Sequence, residues 1–441
     1  MHPSKKKIII NVVTLGCAKN TVDSEKIMGN LPAARFDIFH NSDKEADIVL
    51  INTCGFISDA KRESIDTILQ YVDAKKERKG MKVFATGCLT QRYKSELQAE
   101  IPELDGIYGF ADLPDLIRAL TQTNIDLTHT RFLTTPKHYA YLKIAEGCDR
   151  TCSFCAIPLI RGKQVSFPME QVVEEAQQLA DKGVKELIIV AQDTTYYGLD
   201  IYKKRQLALL LERLSDIKSL EWIRLHYAFP AGFPEDVLDV MASRSNICNY
   251  LDIPLQHINS ELLSSMRRGI DSLGTRALLD KIRERVPGIH LRTAFIVGYP
   301  GETTAQFNEL AAFIRQQRFE RMGVFSFSKE EGTYAADLKP LISERTKQSR
   351  MNKLMEMQQD IAMDLNQEMI GKTLRVLIDR KENEYYIART EFDSPEIDNE
   401  VLIPAKEILE IGEFYEVEIK GAEAFDLFGE TTETRRTRKD I

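Results

Sequence analysis

The sequence predicts an α/β protein of three successive parts: a doubly wound parallel sheet, a partial β/α barrel and a small antiparallel β-barrel. Over residues 1–342, short β-branched runs alternate with amphipathic stretches, which is the pattern of parallel sheets wrapped by helices. One long helical stretch follows. After residue 369, short strands succeed one another without intervening helices, as they do in small antiparallel barrels.

The first part, residues 1–135, is predicted to be Rossmann-like. A polar stretch at 121–137, which Pro136 closes, separates it from the next part. The predicted strands are 7–14, 35–40, 46–52 and 81–86, and the predicted helices are 23–31, 58–76, 92–100 and 113–120.

The second part, residues 136–342, contains six β/α units. Because a closed barrel of this kind has eight units, six units predict an open, partial (βα)6 barrel. The predicted strands are 139–145, 186–191, 221–227, 250–254, 290–297 and 322–327, and the predicted helices are 170–182, 207–214, 233–242, 273–286 and 304–317.

The third part, residues 370–441, follows a connecting helix at 343–369. Its short β-branched and aromatic runs predict an antiparallel barrel, and the polar tail from residue 430 is expected to fray. The predicted strands are 373–378, 384–390, 400–403 and 414–420.

Composition narrows the class of protein. Of the 441 residues, 43% are hydrophobic and 29% are charged, which excludes disordered, collagen-like and coiled-coil classes. The longest apolar runs, such as 8–13, are far too short to span a membrane, and the N-terminus has no cleavage site for a signal peptide. A cytoplasmic protein is therefore expected. The formal net charge of -8 argues against a broad surface for coating nucleic acid.

Three cysteines share one short loop directly after the first strand of the partial barrel, where barrel enzymes place their chemistry. Cys148, Cys152 and Cys155 are separated by three and two residues. Three thiolates at this spacing can hold three corners of an iron–sulfur cube and leave the fourth iron open. Zinc is the alternative, but structural zinc takes four ligands, and the nearest further candidate, His138, precedes the strand.

Three further cysteines, Cys17, Cys54 and Cys88, each stand at the carboxyl end of a predicted parallel strand. The carboxyl ends of such strands meet at one edge of the sheet, in the crevice that binds ligands. Any one of them alone would be read as a buried structural cysteine. Three equivalent placements predict a second three-cysteine cluster instead. Cys248 has no such partner and is predicted to lie in the core.

Together these motifs resemble the radical S-adenosylmethionine methylthiotransferases over essentially the whole chain. The cysteine loop is similar to that of the whole radical S-adenosylmethionine superfamily, and the N-terminal trio resembles its methylthiotransferase branch. The resemblance implies that the C-terminal barrel is an OB-like TRAM domain. It also implies two 4Fe-4S clusters as cofactors: the loop cluster would bind S-adenosylmethionine, and the auxiliary cluster on the trio would hold the sulfur to be transferred.

The resemblance further implies contacts to S-adenosylmethionine from the loop and from the ends of two strands. Phe154 lies inside the loop and Gln192 ends the second strand, although packing and a structural hydrogen bond are the respective alternatives. The segment that ends the fifth strand supplies the other predicted contacts, Gly298, Pro300, Gly301 and Glu302. No catalytic acid or base is assigned, since radical chemistry does not require such a pair.

Other polar residues at strand ends are either site residues or satisfied structural groups; they are Asp193, His226, Gln256 and His257. Arg161 continues the cysteine loop as it does in relatives of the resembled family. Relatives usually carry Ser-Arg where this chain has Ser166 followed by Phe167, so the role of that cation does not carry over.

Two branches of the resembled family differ in substrate, which is either an adenosine in transfer RNA or an aspartate in small-subunit ribosomal protein twelve. Residues 370–432 carry 7 Lys and Arg against 16 Asp and Glu, whereas the rest of the chain carries 52 against 51. An acidic barrel repels the phosphate backbone of RNA and attracts a basic ribosomal protein. The alternative is that the acidic surface serves solubility alone.

Sequence details resemble the protein-directed branch as well, including Asp193 in a Gln-Asp-Thr-Thr run, the segment 16–25 and the ending 425–429. We therefore predict an enzyme that methylthiolates this aspartate, in the free ribosomal protein or in the ribosome. A reductant such as flavodoxin or ferredoxin would be its partner, with no membrane partner and only incidental contact with nucleic acid. The alternatives are a transfer-RNA methylthiotransferase and a non-catalytic metal-binding scaffold.

Overall fold

The computed structural model describes residues 6–110, 112–123 and 130–432, and it divides the chain into two compact units. The first unit contains Met1–Thr135, Glu146–Val165 and Ser328–Ala336, and the second contains Pro136–Ala145, Ser166–Phe327 and Asp337–Ile441. The cysteine loop thus groups with the N-terminal sheet. The predicted domain boundaries stay predictions, and most of the predicted frayed tail lies outside the described residues.

The first unit is built on a five-stranded sheet in the order β2-β1-β3-β4-β5, with all neighbouring strands parallel. The prediction of a doubly wound sheet is confirmed, but the two-residue strand β5 was missed. The elements are β1 (Ile8–Thr14), α1 (Ala18–Gly29), β2 (Phe36–His40), β3 (Ile48–Thr53), α2 (Ser58–Glu77), β4 (Lys82–Gly87), α3 (Cys88–Arg92), α4 (Lys94–Glu100), β5 (Gly106–Ile107), α5 (Leu113–Thr121) and, in the cysteine-loop segment, α6 (Ile157–Arg161).

Hydrophobic side chains cover both faces of this sheet. On one face, Leu50 of β3 packs in a cluster with Met28 of α1 and Leu116 of α5. On the other face, Ile51 of β3 packs in a cluster with Ile68 of α2. Since successive strand residues point to opposite faces, neighbouring residues of one buried strand supply both cores.

The second unit contains a six-stranded parallel sheet in the order β13-β12-β11-β10-β9-β6. The predicted six β/α units are therefore confirmed. The elements are β6 (Tyr139–Lys143), β7 (Ala145–Glu146), β8 (Val165–Ser166), α7 (Met169–Asp181), β9 (Glu186–Val190), α8 (Leu199–Tyr202), α9 (Leu207–Ser215), β10 (Trp222–Leu225), α10 (Asp236–Ser243), β11 (Ile247–Asp252), α11 (Ser260–Ser265), α12 (Ser272–Arg285), β12 (His290–Val297), α13 (Thr304–Gln317) and β13 (Arg321–Ser326).

The second unit ends in a long helix and a closed five-stranded barrel, whose strands pair in the order β14-β15-β16-β18-β17. The predicted small barrel is confirmed, and four of its strand pairs are antiparallel. The sequence prediction missed β18, which pairs parallel with β16. The elements are α14 (Glu344–Gln367), β14 (Thr373–Glu382), β15 (Tyr385–Thr390), β16 (Glu400–Pro404), β17 (Phe414–Ala422) and β18 (Asp426–Thr431).

The six-stranded sheet and the small barrel share a packed joint within this unit. Trp222 of β10 contacts Phe414 of β17 with ring centroids 4.8 Å apart. Cys248 lies in the same buried cluster, as its lack of a sequence partner predicted. No helix in the described ranges is both long and apolar enough to cross a membrane.

Candidate functional site

The ends of β1, β3 and β4 bring three cysteines to one edge of the N-terminal sheet. These strands are adjacent, and their register pairs Thr14 with Asn52 and Asn52 with Thr86. All three strands therefore end at the same level, and a cysteine follows each end within three residues. The sheet thus places them as the sequence predicted; they are Cys17, Cys54 and Cys88.

A glycine allows the closest of these approaches. Gly16 has a φ of +96°, and a Cβ atom built there would lie 2.8 Å from Cys54 Cβ and 3.0 Å from Cys54 Sγ. Any larger residue would push the turn that carries Cys17 away from Cys54. The absence of a side chain at Gly16 therefore lets the turn that carries Cys17 pack directly against Cys54.

Asn20, in the first turn of α1, ties the strand ends together. Its side-chain Nδ2 donates to Leu15 O at 2.8 Å and to Thr53 O at 3.1 Å. Its Oδ1 lies 3.7 Å from Cys88 Sγ. One buried amide thus links the turns after β1 and β3 to the cysteine that follows β4.

The three thiols differ in acidity. Burial alone would raise the pKa of Cys17. The Lys19 ammonium, the backbone N–H groups of Asn20 and Lys19, and the Arg161 guanidinium together outweigh burial, so the pKa is lowered. Burial raises the pKa of Cys54, and it raises that of Cys88 to about 11. Metal ligation requires the thiolate, so a bound cation would have to deprotonate the two more buried thiols.

The second cysteine set lies on a tightly closed loop. Gly147 has a φ of +71°, and a Cβ atom there would lie 2.0 Å from Lys163 O. Cys148 N donates to Gly162 O at 3.0 Å, so the two ends of the loop are joined. Arg150 N lies 3.4 Å from Cys148 Sγ, as a donor to that sulfur. Cys148 is buried, and the other two loop cysteines are half-buried.

Arg161, at the end of α6, contacts residues around both cysteine sets. Its Nε donates to Cys88 Sγ at 3.4 Å, and its Nη1 donates to the two carboxylate oxygens of Glu146 at 2.8 and 2.9 Å. Its Nη2 donates to Asn20 Oδ1 at 2.7 Å and to Asp23 Oδ2 at 3.0 Å. Sequence reasoning noted Arg161 only as a loop residue, because tertiary structure alone brings these partners to it.

The donor sets fit iron–sulfur clusters. Each set offers three thiols, which is the ligand type of such clusters, and Gly16 lets the turns of Cys17 and Cys54 approach each other closely. Across residues 6–110, 112–123 and 130–432, no three His, Cys, Asp or Glu side chains are spaced to hold a single metal ion. Thiolates on one tetrahedral ion lie about 3.8 Å apart. In a 4Fe-4S cluster each thiolate binds a different iron atom, so the thiolates lie farther apart.

In the second unit, the predicted contact Gln192 follows the end of β9. Both its Oε1 and its Nε2 are buried, and neither has a hydrogen-bond partner among the described residues. Buried amides in native proteins are almost always paired. This side chain therefore fits a site where a ligand supplies both a donor and an acceptor.

The predicted segment after β12 is braced from inside the protein. The buried Glu302 carboxylate accepts from Gly298 N and, at 2.6 Å, from Arg350 Nη1, and it lies 3.4 Å from His257 Nε2. A Cβ atom at Gly298 would lie 2.2 Å from Lys347 Cγ. Contacts within the protein thus explain why a glycine stands at 298 and a glutamate at 302. The predicted contacts of these residues with the cofactor stay predictions.

The other residues predicted to contact the cofactor are Gly301, Pro300 and Phe154. At Gly301 the φ is +82°, and no described atom lies within 4 Å of the position that a Cβ atom would take, so its backbone faces open space. Pro300 is buried and Phe154 is half-buried. Their contacts with the cofactor also stay predictions.

Two other strand-end residues have structural partners. Asp193 Oδ1 accepts from Thr195 N at 2.9 Å and from Thr195 Oγ1 at 2.6 Å, which caps the short 3-10 turn that follows. His226 Nε2 lies 3.0 Å from Ser394 Oγ in the small barrel. Both side chains thus have structural hydrogen-bond partners, and a role for either of them in the site stays a prediction.

Three family descriptions match the chain in succession. Residues 9–109 match Uncharacterized protein family UPF0004, residues 142–314 match the Radical SAM superfamily, and residues 370–432 match the TRAM domain. The matched ranges follow the order of the N-terminal sheet, the six-stranded sheet and the small barrel.

Curated relatives are similar over nearly the whole chain. A protein of Christiangramia forsetii named ribosomal protein uS12 methylthiotransferase RimO is 54% identical, over 99% of this chain and 98% of the relative. A protein of the same name from Cytophaga hutchinsonii is 52% identical, over 96% and 98%.

A solved structure shares the fold. TsrM of Kitasatospora setae, a radical S-adenosylmethionine methyltransferase with cobalamin and a [4Fe-4S] cluster bound, aligns with a TM-score of 0.55 at 15% identity. The alignment covers 75% of this chain and 77% of that one.

Proposed function

This chain belongs to the family of RimO ribosomal protein uS12 methylthiotransferases, and we propose that it attaches a methylthio group to the β-carbon of an aspartate in uS12, small-subunit ribosomal protein twelve. The observation that carries this proposal is the meeting of three thiols at the edge of the N-terminal sheet, in addition to the three on the loop. Two cysteine sets suit a reaction with two tasks, radical initiation and sulfur delivery.

We assign Cys148, Cys152 and Cys155 to one 4Fe-4S cluster, and the thiols after β1, β3 and β4 to a second one. When bound, the first would supply the electron that cleaves S-adenosylmethionine, and the second would supply an iron site for the transferred sulfur. The protein's part is to fix the ligands and exclude water. The glycine turns at Gly16 and Gly147 serve this task by closing both sets tightly.

For S-adenosylmethionine, we assign Gln192 and the segment 298–302. The unpaired amide of Gln192 offers a donor and an acceptor to a polar ligand. The exposed backbone at Gly301 permits close approach. Glu302 acts indirectly, since its carboxylate holds Gly298 N and Arg350 and so fixes the shape of the segment. Phe154 and Pro300 complete the assignment.

The charge of the small barrel supports a protein substrate over RNA. Of the 16 carboxylates in residues 370–432, those of Asp379, Asp393 and Asp398 are buried, as is the Arg389 side chain. The rest of the acidic surplus is at least partly open to solvent. Such a surface attracts a basic ribosomal protein and repels a phosphate backbone. We propose action in the cytoplasm, on free or ribosome-bound uS12, with a reductant such as flavodoxin or ferredoxin.

A competition experiment tests the substrate. Anaerobically reconstituted enzyme receives S-adenosylmethionine, sulfide, reductant, uS12 and bulk transfer RNA together, and mass spectrometry follows both candidate products. We expect a methylthio group in place of one hydrogen on the uS12 aspartate alone. The same gain on adenosine alone would overturn the assignment, and no cleavage of S-adenosylmethionine would favour a non-catalytic scaffold.

A further inference from the structure

Every N–H donor of the Arg161 guanidinium makes a hydrogen bond. A guanidinium carries five N–H donors, and the five hydrogen bonds of Arg161 go to one sulfur, one amide oxygen and three carboxylate oxygens. The side chain is 2% exposed. A buried cation with every donor engaged is held in one orientation, so it in turn fixes the groups that it touches.

These groups belong to two different parts of the first unit. Cys88 directly follows β4 at the carboxyl edge of the N-terminal sheet and Asp23 lies in α1, whereas Glu146 directly precedes the Gly147-Cys148 start of the cysteine loop. An apolar contact supports the same junction, because Cys88, Ala156 and Ile160 form one buried cluster. Polar and apolar contacts thus both join the cysteine loop to one cysteine of the trio.

The contact with sulfur distinguishes Arg161 from an ordinary structural arginine. Arg131, in the same unit, is equally buried, and its guanidinium donates to the Glu25 carboxylate. For Arg161, the carboxylates of Asp23 and Glu146 would already neutralise the charge. Its Nε nevertheless points to Cys88 Sγ at 3.4 Å. Hydrogen bonds to ligand sulfurs are among the features that set the reduction potential of iron–sulfur clusters.

We propose that Arg161 is a positioning residue for the auxiliary cluster: its N–H···S hydrogen bond holds Cys88 in place as a ligand and raises the reduction potential of the cluster bound there. The N–H dipole that points at this sulfur favours the more negative, reduced state of the cluster. Its bonds to Asn20 and Glu146 keep this ligand fixed relative to the base of the cysteine loop. This inference rests on the proposed ligand role of the trio.

The test uses full-length enzyme with C148A, C152A and C155A, so that only the auxiliary cluster forms. Into this background we introduce R161M, which removes the donors, and R161K, which keeps the charge but cannot reproduce the planar fork. R131M, which breaks a buried arginine pair away from the cysteines, is the matched control. Redox potentiometry followed by electron paramagnetic resonance gives the midpoint potential of each variant.

We expect R161M to have a more negative midpoint potential than its parent, R161K to lie between them, and R131M to equal the parent. A parental potential in R161M and R161K would overturn the proposal. If the parent variant itself binds no iron, then Cys17, Cys54 and Cys88 do not hold a cluster and the proposed function fails. This failure is distinct from a failure of the Arg161 proposal, because the parent variant retains Arg161.

Alkylation of the metal-free chain supplies a second measurement. Cys88 is 5% exposed and Cys248, in the other unit, is 1% exposed. Because Arg161 also favours the reactive thiolate of Cys88, the rates are compared per thiolate. On that scale, loss of the charged hydrogen bonds in R161M is expected to speed alkylation of Cys88 at least about tenfold, while Cys248 stays protected. Unchanged alkylation of Cys88 would overturn the positioning role. If Cys248 is also alkylated in R161M, that variant is globally unfolded and cannot test the proposal. The midpoint potential of R161K then tests it, and a value equal to that of the parent would overturn the proposal.

Discussion

The Arg389 guanidinium in β15 donates a 2.8 Å hydrogen bond to the Glu186 carboxylate in β9, although 203 residues separate the two in sequence. Both side chains are almost completely buried. Arg224 donates to the same carboxylate at 2.8 Å, and Asp379 accepts from Arg389 at 2.5 Å. Two cations and two anions thus neutralise each other at the joint between the six-stranded sheet and the small barrel.

We predict that E186Q lowers the free energy of unfolding by about 3–5 kcal/mol, because two buried guanidinium groups would then face each other without their shared carboxylate. Urea denaturation followed by circular dichroism measures the loss. The variant tests whether the buried charges, in addition to apolar contacts, hold the joint together.

The matched control is E221Q. Glu221 accepts from Arg375 at 2.7 Å and also links the sheet region to the small barrel, but both side chains are more than two-fifths exposed. An exposed pair of this kind contributes about 0–1 kcal/mol. Equal losses in E186Q and E221Q would contradict the importance of the buried network.

His290 gives the stability a dependence on pH. Burial disfavours its charged form and the Arg321 guanidinium repels it, so the pKa of His290 is lowered to about 3, although Asp393 opposes the effect. An unfolded histidine titrates near pH 6.5. Below that pH the unfolded chain binds a proton that the folded chain does not, and stability present above pH 6.5 is lost as the pH falls towards 3.

We predict that H290Q weakens this dependence, since glutamine does not titrate. Between about pH 7.5 and about pH 5.5, the parent should lose about 1 kcal/mol more of its free energy of unfolding than H290Q does. Urea denaturation at the two pH values measures the difference. Parallel losses in the two proteins would show that His290 is not the group responsible.

Gln192 should affect binding without supporting the fold. We predict that Q192L raises the dissociation constant for S-adenosylmethionine about tenfold, because a buried donor and acceptor are lost. The free energy of unfolding should not fall, since the amide has no partner among the described residues. Equilibrium dialysis on reconstituted enzyme without reductant measures the affinity.

The control for this prediction is Q358L. Gln358 is 2% exposed, and its Nε2 donates to Phe319 O at 2.8 Å, so the substitution should cost about 1 kcal/mol of stability and leave the affinity unchanged. The reverse pattern, an unstable Q192L with normal affinity, would assign Gln192 to the fold instead.

Two glycines in the segment after β12 should respond differently to alanine. Both have positive φ values, but only at Gly298 would the new Cβ atom collide with Lys347, at 2.2 Å from its Cγ. We predict that G298A loses about 2–3 kcal/mol of stability and G301A about 1 kcal/mol. G301A should instead weaken binding of S-adenosylmethionine, and a stable G301A with unaltered affinity would remove Gly301 from the site.

The sequence predicted the sheet architecture well because periodicity is a local signal. The buried run in β3 and the apolar run that ends β12 are both visible in the sequence. The start of α1 was placed five residues late, at Asp23 in place of Ala18, because Cys17 is an unusual residue before a helix. The strand β18 was missed because Gly429 interrupts its short pattern.

The placement of the cysteines was predictable because strand ends meet at one edge of a parallel sheet. The contacts of Arg161 were not predictable, because they join residues separated by up to 141 positions. The internal role of Glu302 was hidden for a similar reason, since Arg350 comes from α14. Local patterns therefore locate candidate ligands, whereas the groups that position them emerge only from tertiary structure.

The most direct measurement of the central claim follows two products of the C88A enzyme in one anaerobic incubation with uS12 and S-adenosylmethionine: cleaved S-adenosylmethionine and methylthiolated aspartate. We predict that C88A still cleaves S-adenosylmethionine, because the loop cysteines are intact, but transfers no methylthio group. C248A, which alters only the lone buried cysteine, should do both. Methylthio transfer by C88A at the parental rate would contradict the separate sulfur-delivery role of the cysteine trio.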